Sequence, residues 1–184
     1  MKNLAVFISG FGSNLQTIAE FCQNNPNFAQ IAIVISNKNG VNGLKIAQHF
    51  GIPSVVILTK NRKMEEFEQE CKEHLKGIDL ICLAGFMRIL TPQFTQQWNK
   101  KIINIHPSLL PLFKGENAIA DALTFGAKIT GCTVHFVEAT IDSGEIISQE
   151  SMKIESYDNE ESLKKKIKPL EQIAYTKALL ALIM

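Results

Sequence analysis

The 184 residues of this chain suffice to bury the core of one domain without disulfides or metal ions, so we expect a single domain over residues 1–184. Hydrophobic residues at 46% and charged residues at 20% exclude a disordered or fibrous chain. A formal net charge of +1 gives no basis for binding nucleic acid or an anionic membrane surface, and no apolar run is long enough for a membrane span.

Four cysteines are scattered along the chain, in apolar surroundings and without metal-ligand spacing: Cys22, Cys71, Cys82 and Cys132. This usage is typical of reduced thiols in cytosolic proteins. The first residues lead directly into an apolar run, so we expect no signal peptide. The sequence therefore predicts a cytoplasmic protein that needs neither disulfides nor a metal.

Short apolar runs alternate with helical patterns through the first part of the chain. The predicted strands are residues 4–9, 31–36, 54–58, 79–84 and 102–106, and the predicted helices are residues 14–22, 43–50, 64–75 and 91–99. Continuous apolar strands that alternate with helices indicate a parallel sheet covered on both faces.

The last part of the chain has a different pattern. A helix at 117–124 is followed by two strands, at 129–137 and 146–154, in which apolar and polar residues alternate, and an amphipathic helix at 160–183 closes the chain. Alternation of this kind favours a half-exposed antiparallel edge. The predicted fold class is α/β: a single-domain, mostly parallel, twisted, Rossmann-like sheet with an antiparallel edge and a C-terminal helix.

Residues 9–14 (SGFGSN) join the first predicted strand to the first helix. Glycines let the backbone approach a phosphate there, and a helix N-terminus offers free N–H groups. A dinucleotide-binding fingerprint would need glycine at Leu15 and a carboxylate at the end of the second strand, and the chain has neither. NAD is not expected, and Ser13 and Asn14 suit one small phosphate instead. The alternative is a tight turn with Asn14 as the helix cap.

Residues 104–108 (NIHPS) end the fifth predicted strand. Asn104 and His106 are two positions apart, so both side chains point to the same face of a strand, and Pro107 ends it. Open α/β sheets present reactive groups at such strand ends. Alone, His106 could equally be a hydrogen-bonded histidine without a chemical role.

Asp142 opens an Asp-Ser-Gly turn between the two late strands. Its carboxylate would pair with the imidazole of His106, stabilise the charged ring and fix its orientation. An amide, an imidazole and a carboxylate suit acyl transfer, because one group binds the oxyanion, one moves protons and one orients the ring. No serine or cysteine has a nucleophile-elbow setting, so we expect the acceptor substrate itself to attack.

Five segments carry a resemblance to a known family: residues 9–14 (SGFGSN), 84–90 (AGFMRIL), 104–111 (NIHPSLLP), 131–137 (GCTVHFV) and 142–144 (DSG). Over essentially its whole length the chain resembles the folate-dependent phosphoribosylglycinamide formyltransferases of purine biosynthesis. The most specific part of this resemblance is the combination of residues 106–111 (HPSLLP) with the aspartate loop at residues 142–144. The resemblance implies formyl transfer from 10-formyltetrahydrofolate, a co-substrate, to the amine of 5-phosphoribosylglycinamide, with small molecules as partners. The oligomeric state is left open, with a homodimer as one alternative.

The resemblance also implies roles for individual residues. The catalytic residues would be Asn104, His106 and Asp142. The ribotide would be held by Gly12, Ser13, Asn14, Lys168 and Glu171. The folate would be bound by Arg62 at its glutamate tail and by Met87, Arg88, Ile89, Leu90, Asn104, Glu138, Ala139, Thr140, Ile141 and Asp142. The resemblance further implies a cis peptide at Leu110–Pro111.

The chain departs from the family pattern at several positions. Residues 113–118 (FKGENA) replace a segment in which many members carry Pro-Gly and two histidines, Gln172 stands where histidine is common, and Thr176 stands where proline is common. These departures concern peripheral ligand contacts. His135 alternates with Thr133 on its strand, so it could support the site or be an ordinary strand histidine.

Four other functions share features with this sequence. Methionyl-tRNA formyltransferases and formyltetrahydrofolate deformylases normally carry a further domain, and the former needs a tRNA-binding charge. A sugar-nucleotide formyltransferase is not excluded by size. A non-catalytic phosphate- or nucleotide-binding module would not need Asn104, His106 and Asp142 together.

Overall fold

The computed structural model describes residues 1–184 and places helices on both faces of a seven-stranded sheet. The strands are β1 (Lys2–Ile8), β2 (Ala29–Ser36), β3 (Ser54–Val56), β4 (Leu80–Leu83), β5 (Ile102–His106), β6 (Ile129–Phe136) and β7 (Ile146–Lys153). The helices are α1 (Ser13–Asn24), α2 (Asn42–His49), α3 (Met64–His74), α4 (Pro92–Gln97), α5 (Ala118–Phe125) and α6 (Glu160–Ile183). All predicted elements are present, with ends displaced by two residues at most.

The strand order is β3-β2-β1-β4-β5-β6-β7. Neighbours from β3 to β5 pair in parallel, and the β5–β6 and β6–β7 pairs are antiparallel. The predicted fold class is therefore confirmed. Because β1, β4 and β5 run in the same direction, the loop after β1 and His106 at the end of β5 lie at the same carboxyl edge of the sheet, as predicted.

The core lies on both faces of the sheet because the side chains of a strand alternate between them. Leu4, Val6 and Ile8 of β1 belong to a buried cluster with α1 and α6. Ala5 and Phe7 belong to a second cluster with α3 and α4 on the other face. None of the six helices combines the length and apolar character needed to cross a membrane.

The prediction that both late strands are half-exposed is wrong for β6. Strand β7 shows the expected alternation, but β6 is buried from Thr130 to Phe136. Helix α6 covers one face, and the residues that follow β5 cover the other, where the backbone N–H of Leu110 donates to Thr133 Oγ1. Thr133 and His135 of β6 therefore face a hydrogen-bonded network instead of water, whereas the buried hydroxyl of Thr130 has no partner.

Thr133 is the centre of this network. Its fully buried hydroxyl donates to the carbonyl of Ser108 at 2.7 Å and accepts from the N–H of Leu110 at 3.0 Å and from Nε2 of Gln149 at 2.9 Å. These contacts fix the turn after β5, in which Leu110–Pro111 is cis, as predicted.

Thr133→Val is expected to lower the free energy of unfolding by about 1–3 kcal/mol, because the buried N–H of Leu110 loses its acceptor. Urea titration followed by circular dichroism measures this loss. The matched control is Thr176→Val, which removes an exposed hydroxyl bonded to the carbonyl of Gln172. Equal destabilisation by the two substitutions would contradict the role of the network.

Candidate active site

The loop after β1 approaches α2 so closely that only glycine fits. A Cβ on Gly12 would lie 2.6 Å from Cα of Gly43, and Gly12 has a φ of 82°. Nδ2 of Asn42, also on α2, donates to the carbonyl of Phe11 at 2.9 Å and holds the loop against this helix. Helix α1 begins at Ser13 without a side-chain cap, so its first N–H groups remain available to an anion.

Asn14 does not cap α1, so the alternative prediction that it serves as the helix cap is wrong. It is buried, its Nδ2 donates to Oε2 of Glu171 on α6 at 3.2 Å, and its Oδ1 has no partner in the protein. Burial raises the pKa of Glu171, while the hydrogen bond from Asn14 and the charge of Lys168 lower it. The structure thus brings Glu171 of α6 to the start of α1, whereas exposed Lys168 acts only through its charge on Glu171.

A second loop, residues 85–91, connects β4 to α4. The backbone N–H of Met87 donates to Ser9 Oγ at 2.8 Å. At the far end, the buried carboxylate of Glu68 on α3 accepts from the backbone N–H of Thr91 at 2.7 Å and from its hydroxyl at 2.6 Å. The side chains of Met87 and Ile89 nevertheless stay largely exposed, by 71% and 63%, and present an apolar rim.

A cavity of about 860 Å³ opens between this loop, the end of β5 and the loop after β6, within the size range of small-molecule sites. Its lining includes most predicted folate and catalytic residues: Met87, Arg88, Ile89, Leu90, Asn104, His106, Glu138, Ala139, Ile141 and Asp142. It also includes residues that the sequence did not single out for the site: Met64, Leu83, Gly85, Phe86, Ile105, Pro107, Gly115, Glu116, His135 and Val137.

Two predicted folate residues do not line this cavity. Thr140 lies in the adjacent loop and accepts a hydrogen bond from Ser143 through its carbonyl. Arg62 is engaged elsewhere: its guanidinium lies 3.4 Å from Oε2 of Glu66 and 3.0 Å from Oε2 of Glu70. A second cavity, of about 590 Å³, is bordered by Met1, Pro26 and Phe50 and contains no carboxylate, imidazole or side-chain ammonium group.

His106 is buried, with both ring nitrogens facing acceptors. Nδ1 lies 3.3 Å from Oδ2 of Asp142, and Nε2 lies 2.8 Å from the carbonyl oxygen of Phe113. A neutral imidazole has one N–H and satisfies one acceptor, whereas an imidazolium donates from both nitrogens. The geometry therefore suits a charged ring. Delivering the Nε2 proton to a substrate requires a substrate atom to replace the Phe113 carbonyl.

Asp142 is held in place by its turn. Its φ of 48° lies in the left-handed region, which aspartate tolerates better than most residues. A Cβ on Gly144 would lie 1.9 Å from the carbonyl oxygen of Phe136, so the last position of the turn requires glycine. The N–H of Gly115 donates to Asp142 Oδ2 at 2.9 Å. The carboxylate is thus oriented towards His106 before a ligand binds.

His135, which the sequence left unassigned, lies within the site. It is directly opposite Asn104 in the antiparallel β5–β6 pair, so both side chains share one face. Burial lowers the pKa of His135, so the ring is neutral, and its Nδ1–H donates to the carbonyl of Phe136 at 2.9 Å. With that proton on Nδ1, Nε2 is an acceptor for Nδ2 of Asn104 at 3.5 Å, and it also lies 3.6 Å from Oδ1 of Asp142.

An amide donor, an imidazole and a carboxylate therefore meet at the end of β5, between a glycine loop and an apolar rim. Groups of this kind stabilise a developing oxyanion and exchange protons with a leaving group. Residues 2–179 match the model of the family described as formyl transferase. The chain belongs to this family of enzymes.

Individual relatives narrow the class. The chain is 43% identical to phosphoribosylglycinamide formyltransferase of Haemophilus influenzae, over 95% of this chain and 84% of that protein. The crystal structure of phosphoribosylglycinamide formyltransferase from Anaplasma phagocytophilum superimposes with a TM-score of 0.87 at 43% identity, over 97% of this chain and 85% of that one. The enzyme from Brucella melitensis gives a TM-score of 0.90 at 37% identity, over 100% and 97%. The family predicted from the sequence is confirmed.

A different group of relatives is much longer. The chain is 48% identical to the human trifunctional purine biosynthetic protein adenosine-3 over 96% of this chain, which corresponds to 18% of that protein. The chain thus spans less than a fifth of the length of such trifunctional relatives.

Proposed function

We propose that this chain transfers the formyl group of 10-formyltetrahydrofolate to the glycinamide amine of 5-phosphoribosylglycinamide, a step of purine biosynthesis. The observation that carries the proposal is the convergence of Asn104, His106 and Asp142 on one cavity, with a phosphate-type loop beside it. The names of the bacterial relatives support the choice of substrates. Residues 1–184 would act as one formyltransferase domain, since both buried clusters pack on a single sheet.

The ribotide would bind at the glycine loop. Its phosphate would accept from the N–H groups at the start of α1 and from Ser13, close to Gly12. The ribose hydroxyls would donate to Glu171 and to the unpartnered Oδ1 of Asn14, and Lys168 would add positive charge. This placement directs the glycinamide amine towards the end of β5.

The folate would enter the apolar cavity. Its ring system would lie against the 87–90 loop, including Leu90, and accept from or donate to the backbone of residues 138–142. The exposed side chains of Met87 and Ile89 would gain apolar contact. Arg62 would bind the glutamate tail of the folate. The tail carboxylate would then compete with Glu66 and Glu70 for the guanidinium of Arg62.

The reaction is a direct transfer. The amine lone pair attacks the formyl carbon, the carbonyl electrons move to oxygen, and Asn104 donates a hydrogen bond to the resulting oxyanion. As the oxyanion collapses, the bond to folate N10 breaks, His106 supplies its proton, and the new amide nitrogen loses one proton to regenerate the acid. Asp142 stabilises the ring of His106 while it carries the proton.

No protein nucleophile is required. The four cysteines are free and buried. Burial raises the pKa of Cys22 to about 11 and the pKa values of Cys71 and Cys132 to about 12, so none is a thiolate near neutral pH. Free thiols of this kind also support the proposal that the enzyme works in the cytoplasm.

The test of this function is an acceptor competition. Purified protein is supplied with 10-formyltetrahydrofolate and, in turn, glycinamide ribonucleotide, methionyl-tRNA or water alone, and tetrahydrofolate release is followed. We expect turnover with glycinamide ribonucleotide at least 10²-fold above water. Preferential formylation of methionyl-tRNA, or release at the same rate without an amine acceptor, would overturn the proposal.

The ribotide site makes a separate prediction. Ser13→Ala and Asn14→Ala are each expected to weaken ribotide binding about tenfold or more, because each removes a hydrogen bond to a polar or charged ligand group. Tetrahydrofolate binding should change by less than about twofold. Isothermal titration calorimetry measures both affinities.

The matched control is Gln16→Ala on the same helix, because the side chain of Gln16 is exposed and bonds only to Glu20. This substitution should leave both affinities unchanged. If Ser13→Ala and Asn14→Ala weaken both ligands equally, the loop has collapsed and the assignment of the phosphate site is wrong.

A further inference from the structure

One hydrogen bond joins the two loops that the proposed function assigns to different substrates. Ser9 follows β1 and begins the glycine loop, and its Oγ accepts from the backbone N–H of Met87 in the 85–91 loop at 2.8 Å. Ser9 is 4% exposed, so water does not compete for this contact.

The position of this bond in the sheet is informative. Strands β1 and β4 pair in parallel, and beyond them the N–H of Ala84 donates to the carbonyl of Phe7 at 2.9 Å. The chains then diverge, one towards α1 and the other towards α4. No other hydrogen bond links residues 9–14 with residues 85–91, so the Ser9 hydroxyl bridges the loops where the backbone pairing stops.

Each loop is otherwise anchored to its own side of the molecule. The glycine loop is held by α2, through Asn42 and through the N–H of Gly43, which donates to the carbonyl of Gly10 at 3.0 Å. The 85–91 loop is held by α3, through Glu68 and Thr91. These anchors belong to different helices, α2 and α3, which pack in the two different buried clusters.

We propose that Ser9 is a positioning residue that couples the ribotide site to the folate site, an inference that rests on the proposed function. Reacting atoms must approach to about 3–3.5 Å in a productive complex, so the spacing of the two loops matters directly. A ligand that orders one loop also orders the other through Ser9, and the second ligand then loses less entropy on binding. The two substrates therefore bind with positive cooperativity.

The experiment is a calorimetric binding cycle with two ligands that do not react together, tetrahydrofolate and glycinamide ribonucleotide. In the unsubstituted protein, saturating ribotide should tighten tetrahydrofolate binding about fivefold or more, and the reverse titration should give the same factor. In Ser9→Ala this factor should fall to about one, while each ligand alone binds within about twofold of its original affinity. The variant should also lose kcat, and the KM of each substrate at a saturating concentration of the other should rise by about the lost coupling factor.

Two further variants sharpen the test. Thr91→Val removes a hydroxyl at the other end of the 85–91 loop; it should weaken tetrahydrofolate binding and retain the coupling factor. Ser9→Cys, which keeps a weak acceptor of similar size, should give an intermediate factor and carries the test if Ser9→Ala does not fold.

Different outcomes would overturn the proposed function and the role of Ser9. Absence of ribotide binding or formyl transfer in the unsubstituted protein would remove the proposed function. Normal activity with no cooperativity, or cooperativity that survives in Ser9→Ala, would overturn only the role of Ser9. If Thr91→Val also loses the coupling between the two ligands, the coupling factor reflects general loosening of the 85–91 loop. This result would also overturn the role of Ser9.

Discussion

Replacing Asn104 by alanine is expected to lower kcat about 10²–10³-fold, the effect of removing one aligned oxyanion donor. The amide of Asn104 lines the cavity, and its Nδ2 lies 3.5 Å from Nε2 of His135, so Nδ2 has a second hydrogen to donate to a ligand. Because the contact strengthens as charge develops on oxygen, kcat and kcat/KM should fall together. Steady-state kinetics with both substrates measures the effect.

The control for this variant is Asn117→Ala, which removes an exposed amide that makes no capping hydrogen bond to α5. It should leave kcat unchanged. The urea midpoint of Asn104→Ala should stay close to that of the unsubstituted protein, because Asn104 is not part of either buried cluster. A folded Asn104→Ala enzyme with near-normal kcat would show that the oxyanion is bound elsewhere.

His106→Ala is expected to lose about 10²–10⁴ in kcat, the usual contribution of a positioned acid or base. The ring is buried and lies between two acceptors, Asp142 Oδ2 at 3.3 Å and the Phe113 carbonyl at 2.8 Å. Asp142→Asn keeps the shape of the site and removes the charge that stabilises the imidazolium, so kcat should also fall.

Asp121→Asn on the exposed side of α5 is the matched carboxylate-to-amide control, and it should have normal kinetics. The kinetic comparison should be made at several pH values, because the contribution of Asp142 depends on its charge. If Asp142→Asn and Asp121→Asn have the same kcat at every pH, Asp142 does not act through the imidazole.

The sequence predicted the elements and the chemistry of the site because both depend on short-range patterns. Apolar runs of strand length and helical periodicity located every element, and their alternation implied the parallel sheet. Asn104 and His106 could be assigned to one face because they are two residues apart on a strand. Asp142 was found through its turn sequence and the resemblance to a family.

Contacts between distant segments were not predictable in the same way. The position of His135 over Asn104 follows from the β5–β6 register, which no local pattern specifies. The contacts that Phe113 and Gly115 make with the catalytic pair depend on how the 113–118 segment folds back. The burial of β6 was not predicted because alternation of polar and apolar residues does not show whether the polar face meets water or buried hydrogen-bonding partners. In β6, buried partners take the place of water at Thr133 and His135.

Asn104, His106 and Asp142 are proposed to act together on one formyl carbon. The most direct measurement is the single-turnover rate of formyl transfer in Asn104→Ala, Asp142→Asn and the double variant, each with a native near-ultraviolet circular dichroism spectrum. We expect the double variant to lose clearly less than the product of the two single losses, because effects within a catalytic unit are not additive. Losses that simply multiply, or single variants that transfer the formyl group at near-normal rates, would contradict the claim.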